Sequence, residues 1–293
     1  MKLVSFWSGD SIVPGVLHPD GVIPLPADRF PSLEALIEAG PPGIAEAGAC
    51  LSQAREVLPD PRLLRPLARP NSLRDFVAFE DHARAGAARR GEELNPIWYE
   101  RPIYYKGNAR SIWGPDEDLP IPSFTQELDF ELEVACIIGK QIRDADEQSA
   151  ANAIFGYTIM NDWSARDVQR QEMAVRLGPS KSKDFATSLG PCIVTADEFP
   201  DPISAKMTAS VNGKIVCEAN LADARWTFPQ IIAYVSKGED LYPTDVFGSG
   251  TPFGGCLLDQ GGPYLKHDDE VELTVENIGT LKTRIIQPGT LRQ

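Results

Sequence analysis

The sequence predicts a β-rich α+β fold, and three observations carry that prediction. Residues 128–138 alternate apolar and polar side chains, as a half-buried strand does. Asn212-Gly213 joins two strand-like runs, 206–211 and 214–218, and is a strong signal for a tight hairpin turn. The helical patterns are few and short, at about residues 73–92, 145–152, 162–174 and 226–236.

The elements follow in order. Residues 2–6 and 12–17 read as strands around polar turns, and Pro19-Asp20-Gly21 precedes a third short strand at 22–25. Residues 32–57 read as helical, with Leu33, Leu36 and Ile37 on one face and a break at Gly40-Pro41-Pro42. Four prolines between positions 59 and 70 suit an extended connector. A boundary near residue 70 is therefore expected, with a small N-terminal α/β domain at 1–70 and a larger domain at 71–293. In the larger domain, 154–160 is a short apolar run, and 271–275 pairs with 280–286 around Gly279. So many short strands suggest a curled or barrel-like sheet.

Composition narrows the function. Acidic residues outnumber basic ones 42 to 28, a formal charge of −14, so binding to a nucleic-acid backbone or an anionic membrane is not expected. The three histidines are His18, His82 and His267, too few for sites built from several imidazoles. The five cysteines (50, 136, 192, 217, 256) are odd in number and form no CxxC pair. A disulfide framework is not expected, and a reducing cytoplasm is. The N-terminal apolar run stops at Ser8-Gly9-Asp10, short for a signal peptide, and no apolar stretch nears the roughly 20 residues that span a bilayer.

Acids gather at two places. In 128–138, Leu128, Phe130, Leu132, Val134 and Cys136 fall on one face, and Asp129, Glu131 and Glu133 on the other. Glu131 and Glu133 then project to the same side, roughly 7 Å apart, close enough for long carboxylates to meet on one cation. Taken alone, such a pair reads more simply as the wet face of a strand. The 154–160 run leads into Asn161-Asp162, where a helix is expected to begin. Asp162, Arg166 and Gln169 stand at i, i+4 and i+7 and share a helical face; an N-cap with an ordinary ion pair explains them as well. Three carboxylates with water are ligands for Mg²⁺ or Ca²⁺ rather than zinc or copper.

Asp75 and His82 are spaced i, i+7 on the expected 73–92 helix, which Gly86 and Gly91 weaken, as suits a mobile lid carrying a histidine. Lys181, Lys183 and Thr187 offer charge and a hydroxyl, or are simply solvated. Residues 247–255 form a glycine-rich loop without a P-loop ending, able to bring backbone N–H groups to a small carboxylate.

Taken together, MNDWSARDVQ at 160–169, ELE at 131–133 and GSGTP at 248–252 resemble the fumarylacetoacetate hydrolase superfamily over about residues 71–287. The resemblance implies a mixed β-sandwich or roll for the larger domain. It implies Glu131, Glu133 and Asp162 as metal ligands, and its eukaryotic branch adds Asp75. His82 matches the catalytic base, Gln169 and Thr251 match substrate-binding positions, and Lys183 and Thr187 match positions around metal and substrate. Lys106, in YYKGN, matches a pocket lysine, and Arg166 is placed to hold carboxylate or oxyanion charge. The glutamate that usually pairs with the histidine is replaced by Asp259, one methylene shorter, so a looser pair is expected. Ala85 stands where short-lid relatives have a second glutamate, which argues against decarboxylation.

The function so implied is a hydrolase using Mg²⁺ (or Ca²⁺ or Mn²⁺) to cleave a C–C bond of a 1,3-dicarbonyl or acylpyruvate-type acid. A 2-oxo acid decarboxylase, a hydroxymuconate-type isomerase or dehydratase, and a non-catalytic metal- or carboxylate-binding paralogue are the alternatives. The implied partners are a small-molecule acid and a second copy in a homodimer.

Overall fold

A computed structural model describes residues 1–53, 56–199 and 204–287. Three N-terminal strands, β1 (Lys2–Ser8), β2 (Ser11–His18) and β3 (Gly21–Pro24), form a meander. The expected 32–57 helix is two helices, α1 (Leu33–Glu38) and α2 (Gly40–Gln53), divided where Gly40 takes a positive φ of 62°. The proline-rich connector contains β4 (Leu63–Leu64). The expected 73–92 helix is corrected. Its first part is a strand, β5 (Leu73–Phe76), and only α3 (Glu80–Arg89) is helical. Then come α4 (Ile97–Glu100), β6 (Tyr104–Gly107), β7 (Ile112–Trp113), β8 (Leu119–Pro120), β9 (Leu128–Asp129) and β10 (Leu132–Ile138).

After α5 (Glu147–Ala151), β11 (Ile154–Asp162) runs longer than expected, followed by β12 (Ser164–Ala165). Helix α6 (Arg166–Ala174) therefore starts after Asp162, which ends a strand rather than opening a helix. The remaining elements are β13 (Thr187–Thr195), β14 (Lys206–Val211), β15 (Lys214–Asn220), α7 (Phe228–Val235), β16 (Val246–Gly248), β17 (Glu270–Val275) and β18 (Gly279–Ile286). Between β14 and β15, Asn212 (φ 53°) and Gly213 (φ 74°) both adopt the left-handed conformation that a two-residue hairpin turn requires.

Eleven strands form one sheet in the order β3-β2-β1-β13-β11-β10-β16-β5-β6, with β4 and β7 added at β1 and β13. A second sheet runs β15-β14-β17-β18-β8. Neither path closes among the described residues, so the strand-rich α+β expectation holds without a barrel. Strand β1 pairs with β13 through Lys2↔Val194 and Leu3↔Ile193, so residues on both sides of position 70 build the large sheet.

Alternation along β10 explains how that sheet is covered. Leu132, Val134, Cys136 and Ile138 enter the core shared with Val271, Leu273 and α7. Ala135 and Ile137 enter a second core with Leu33, Leu36 and Ile37 of α1. Both faces are thus buried, and polar side chains in the middle of the sheet have no route to bulk water except through a pocket.

Candidate metal centre and active site

Three pairings bring four acids together. Strands β10 and β11 run antiparallel with Leu132 opposite Asn161, which sets Asp162 beside Glu131; the Asp162 N–H donates to the Glu131 carbonyl at 3.3 Å. Strand β16 lies between β10 and β5, with Gly248 opposite both Ala135 and Asp75. Asp75 is thus delivered by a parallel strand, not by the helix face expected for it. Gly248 is needed there because a Cβ would meet Met160 Cε at 2.1 Å, Asp75 Oδ1 at 2.6 Å and Glu133 Oε2 at 2.7 Å. Two residues on, Gly250 (φ 77°) turns its N–H toward Glu133 Oε2 at 3.0 Å. The chain leaves strand geometry at Phe130-Glu131, and the Asn161 side chain accepts the Glu131 N–H at 3.1 Å.

Asp75, Glu131, Glu133 and Asp162 are all buried, and one carboxylate oxygen from each lies within 4.8 Å of the others. The wet-face reading of this strand is therefore wrong. Burial and mutual repulsion push the Asp75 and Glu133 carboxyls well above their ordinary values. Burial also raises Asp162, with Lys183 pulling the other way. At Glu131 burial is outweighed by Lys183 and Arg166, which hold its carboxyl well below the usual range. Lys183 Nζ donates to Glu131 Oε2 at 2.7 Å and also to Asp162; these two acids outweigh its own burial and keep it charged.

Asp75 Oδ1, Glu133 Oε1 and Asp162 Oδ1 are buried and lack a hydrogen-bond partner. Orphaned carboxylate oxygens facing a shared space, with no nitrogen or sulfur among them, fit a hard divalent cation. Mg²⁺, Ca²⁺ and Mn²⁺ all meet that description.

The histidine side is built differently. His82 Nδ1 meets Asp259 Oδ2 at 2.9 Å, so the shorter acid still closes the pair. Asp259, on the short 3₁₀ turn Leu257–Gln260, also accepts the Gly254 N–H at 2.9 Å and pairs with Arg89. Burial would raise its carboxyl, but these donors together hold it below its ordinary value. Asp259 occupies Nδ1, so Nε2 is the ring nitrogen that the aspartate leaves unengaged. His82 is near enough to Glu131 to help lower that carboxyl, so the imidazole and the acid cluster are neighbours.

The other expected residues divide. Arg166 is buried, and its donors are taken by protein: Asp129 Oδ2 at 2.8 Å, Glu131 Oε1 at 2.7 Å and Gln169 Oε1 at 3.0 Å. It braces the site. Thr187 is buried opposite Asp162 in the β11–β13 ladder. Thr251 is buried with its hydroxyl unpartnered. Lys106 is exposed on β6 and is not brought to the cluster. Its neighbour Tyr105 is, because adjacent strand residues face opposite ways; its hydroxyl donates to Asp162 Oδ2 at 2.7 Å.

Tyr105 and Asp129 were missed by sequence reasoning. Asp129 accepts from Arg166 and from the Leu257 and Leu258 N–H groups at 2.9 and 3.0 Å, tying the metal side to the turn that carries Asp259. Its place on the same strand face as Glu131 and Glu133 was the available signal.

The family model described as fumarylacetoacetate (FAA) hydrolase C-terminal matches residues 72–286. The chain is 31% identical to the oxaloacetate tautomerase fahd2, mitochondrial, of Xenopus laevis, over 98% of this chain and 90% of that protein. It is 30% identical to the human oxaloacetate tautomerase FAHD2A, mitochondrial, over 87% of this chain and 80% of that protein. Among solved structures, the fumarylacetoacetate hydrolase from psychrophilic Exiguobacterium antarcticum superposes with a TM-score of 0.82 at 28% identity, covering 98% of this chain and 99% of that one.

Proposed function

The chain belongs to the fumarylacetoacetate hydrolase family, and from that premise we propose that it is a metal-dependent enzyme that catalyses keto–enol proton transfer on a 2-oxo dicarboxylate such as oxaloacetate. The observation that carries this reading is a cluster of four buried acids facing a histidine whose other nitrogen is fixed by an aspartate.

Asp75, Glu131, Glu133 and Asp162 would hold the cation. When bound, it would act as a Lewis acid that stabilises charge on the enolate oxygen. His82 Nε2 takes the proton from the carbon beside the carbonyl and returns one to the other tautomer's site. Asp259 keeps the imidazole in the tautomer that frees Nε2 and stabilises the imidazolium. Lys183, held charged by Glu131 and Asp162, opposes developing negative charge. The free Thr251 hydroxyl and the Gln169 amide nitrogen remain to bind the substrate carboxylate, since the Gln169 oxygen is committed to Arg166.

Hydrolysis of an acylpyruvate C–C bond is the second reading. It uses the same His82 to activate water, and the superposition on a fumarylacetoacetate hydrolase favours it. We keep a homodimer in a reducing compartment as part of the proposal; the mitochondrial relatives leave the compartment wider than the cytoplasm first expected. No helix among the described residues is long and apolar enough to cross a membrane.

The test is a pair of assays with Mg²⁺. Accelerated loss of enol-oxaloacetate absorbance, without CO₂ or cleavage products, supports the tautomerase. Release of pyruvate and a second acid from an acylpyruvate supports the hydrolase instead. Neither activity in an ion-loaded protein overturns both.

A further inference from the structure

Cys256 has no part in the reaction just described, yet it lies beside the His82–Asp259 pair. It directly precedes the turn that carries Asp259, is fully buried, and makes no hydrogen bond through its sulfur among the described residues. Its Sγ, a ring nitrogen of His82 and a carboxylate oxygen of Asp259 all lie within 4.8 Å of one another. One thiol, one imidazole and one carboxylate make a donor set unlike the oxygen-only acid cluster. Borderline and soft cations such as Zn²⁺ and Cd²⁺ prefer it, and three protein donors leave a fourth position for water.

The His82–Asp259 part of the set is already close to the spacing such an ion needs. Two donors at zinc bond lengths in a tetrahedral site stand about 3.3 Å apart. His82 Nδ1 and Asp259 Oδ2 are already 2.9 Å apart, held by a single proton, so a small opening admits a cation in its place. Two positive groups lie nearby. Arg166 is neutralised by Asp129 and Glu131. Arg89 pairs with Asp259, but its side chain is 32% exposed and can swing into solvent.

We propose that His82, Cys256 and Asp259 form a second, thiol-containing metal site that takes Zn²⁺ or Cd²⁺ and blocks the enzyme. On coordination, the thiol proton and the proton bridging His82 and Asp259 pass to solvent. The ion is not oxidised or reduced. Binding at this site is independent of the proposed reaction; only the blocking rests on the reading of His82 as the base.

The experiment titrates Cd²⁺ into the full-length protein already saturated with Mg²⁺. It follows the ultraviolet thiolate-to-cadmium charge-transfer band alongside turnover. One equivalent is expected to bring up the band and abolish turnover. Cys256→Ser is expected to remove the band and raise the inhibitory Cd²⁺ concentration about tenfold or more. Cys50→Ser, at the one cysteine that is not buried, is expected to keep both. His82→Ala, at a partly exposed position, must also weaken Cd²⁺ binding, which keeps the site testable should Cys256→Ser fail to fold.

A band that survives Cys256→Ser or vanishes with Cys50→Ser overturns the site. So does displacement of Cd²⁺ by excess Mg²⁺, because the ion then lies in the acid cluster. A full band with undiminished turnover overturns the blocking. The band is read without substrate, so a wrong reaction assignment and a wrong site give different results.

Discussion

The two sides of the candidate site are held by different kinds of structure. The acid side is assembled from the middle of an 11-stranded sheet, where β5, β10, β11 and β16 are packed on both faces and all four acids of the cluster are buried. The histidine side is a ten-residue helix that buries only Ala87, tied by His82 and Arg89 to one aspartate and by Glu80 and Arg84 to Tyr99. A site with so few apolar contacts opens at low cost, whereas the acid cluster can move only if the sheet does. The difference assigns the fixed half of the chemistry to the sheet and the movable half to the helix, as expected where substrate must enter and water must be kept out.

The division is broken or sharpened most strongly at His82. His82→Ala should lower kcat by about 10²–10⁴-fold, the usual worth of a general base, while Mn²⁺ affinity stays unchanged. A parallel loss of ion affinity would show that the two sides are not separable.

Glu133→Gln acts on the other side and should split function from stability. Ion affinity falls by roughly 10–100-fold or more. The ion-free protein should melt higher, because one of several crowded, buried acids has been neutralised. Calorimetric titration and thermal melts read the two effects.

The acid cluster should also show in the pH dependence of stability. Asp75 and Glu133 hold their protons in the folded protein above the pH at which the unfolded chain releases them. Such groups favour the fold below the ordinary carboxylate range and withdraw that support as pH rises through their raised values. Glu131 works oppositely, but its contribution is complete above its ordinary value. The ion-free melting temperature should therefore fall as pH rises above the ordinary carboxylate range, and the gain on adding Mg²⁺ should grow in the same direction. An ion-induced gain that shrinks with pH would contradict the cluster's role.

The smallest effect is expected at Arg89, which shares Asp259 with His82 but is partly exposed. Arg89→Gln should change kcat/KM by on the order of threefold, the worth of a screened ion pair, and leave ion affinity alone.

Much of this was legible in the sequence, for reasons that show where reading stops. The Asn212-Gly213 hairpin is a local signal and appeared as expected. The alternation at 128–138 and the strand-to-helix sequence around Asp162 marked three of the four acids. The misreadings are all nonlocal. Residues 73–76 carry a spacing compatible with a helix, but pairing with both β16 and β6 makes them a strand. Asp162 looked like a helix start because nothing nearby reveals that β13 extends the β11 ladder to it. The family resemblance points to Lys106, while the period-2 rule turns its neighbour Tyr105 toward the acid cluster. The register that chooses between them is set by Asp75↔Tyr105, a contact across 30 residues.

The account stands on the four acids holding one hard ion. The most direct measurement is an equilibrium titration of the full-length protein with Mn²⁺, counting bound ions by their magnetic resonance signal, repeated with Glu133→Gln and Asp162→Asn. One ion per chain, displaced by Mg²⁺ and weakened in both variants, is the predicted result. No bound ion, or binding that neither substitution disturbs, would contradict it.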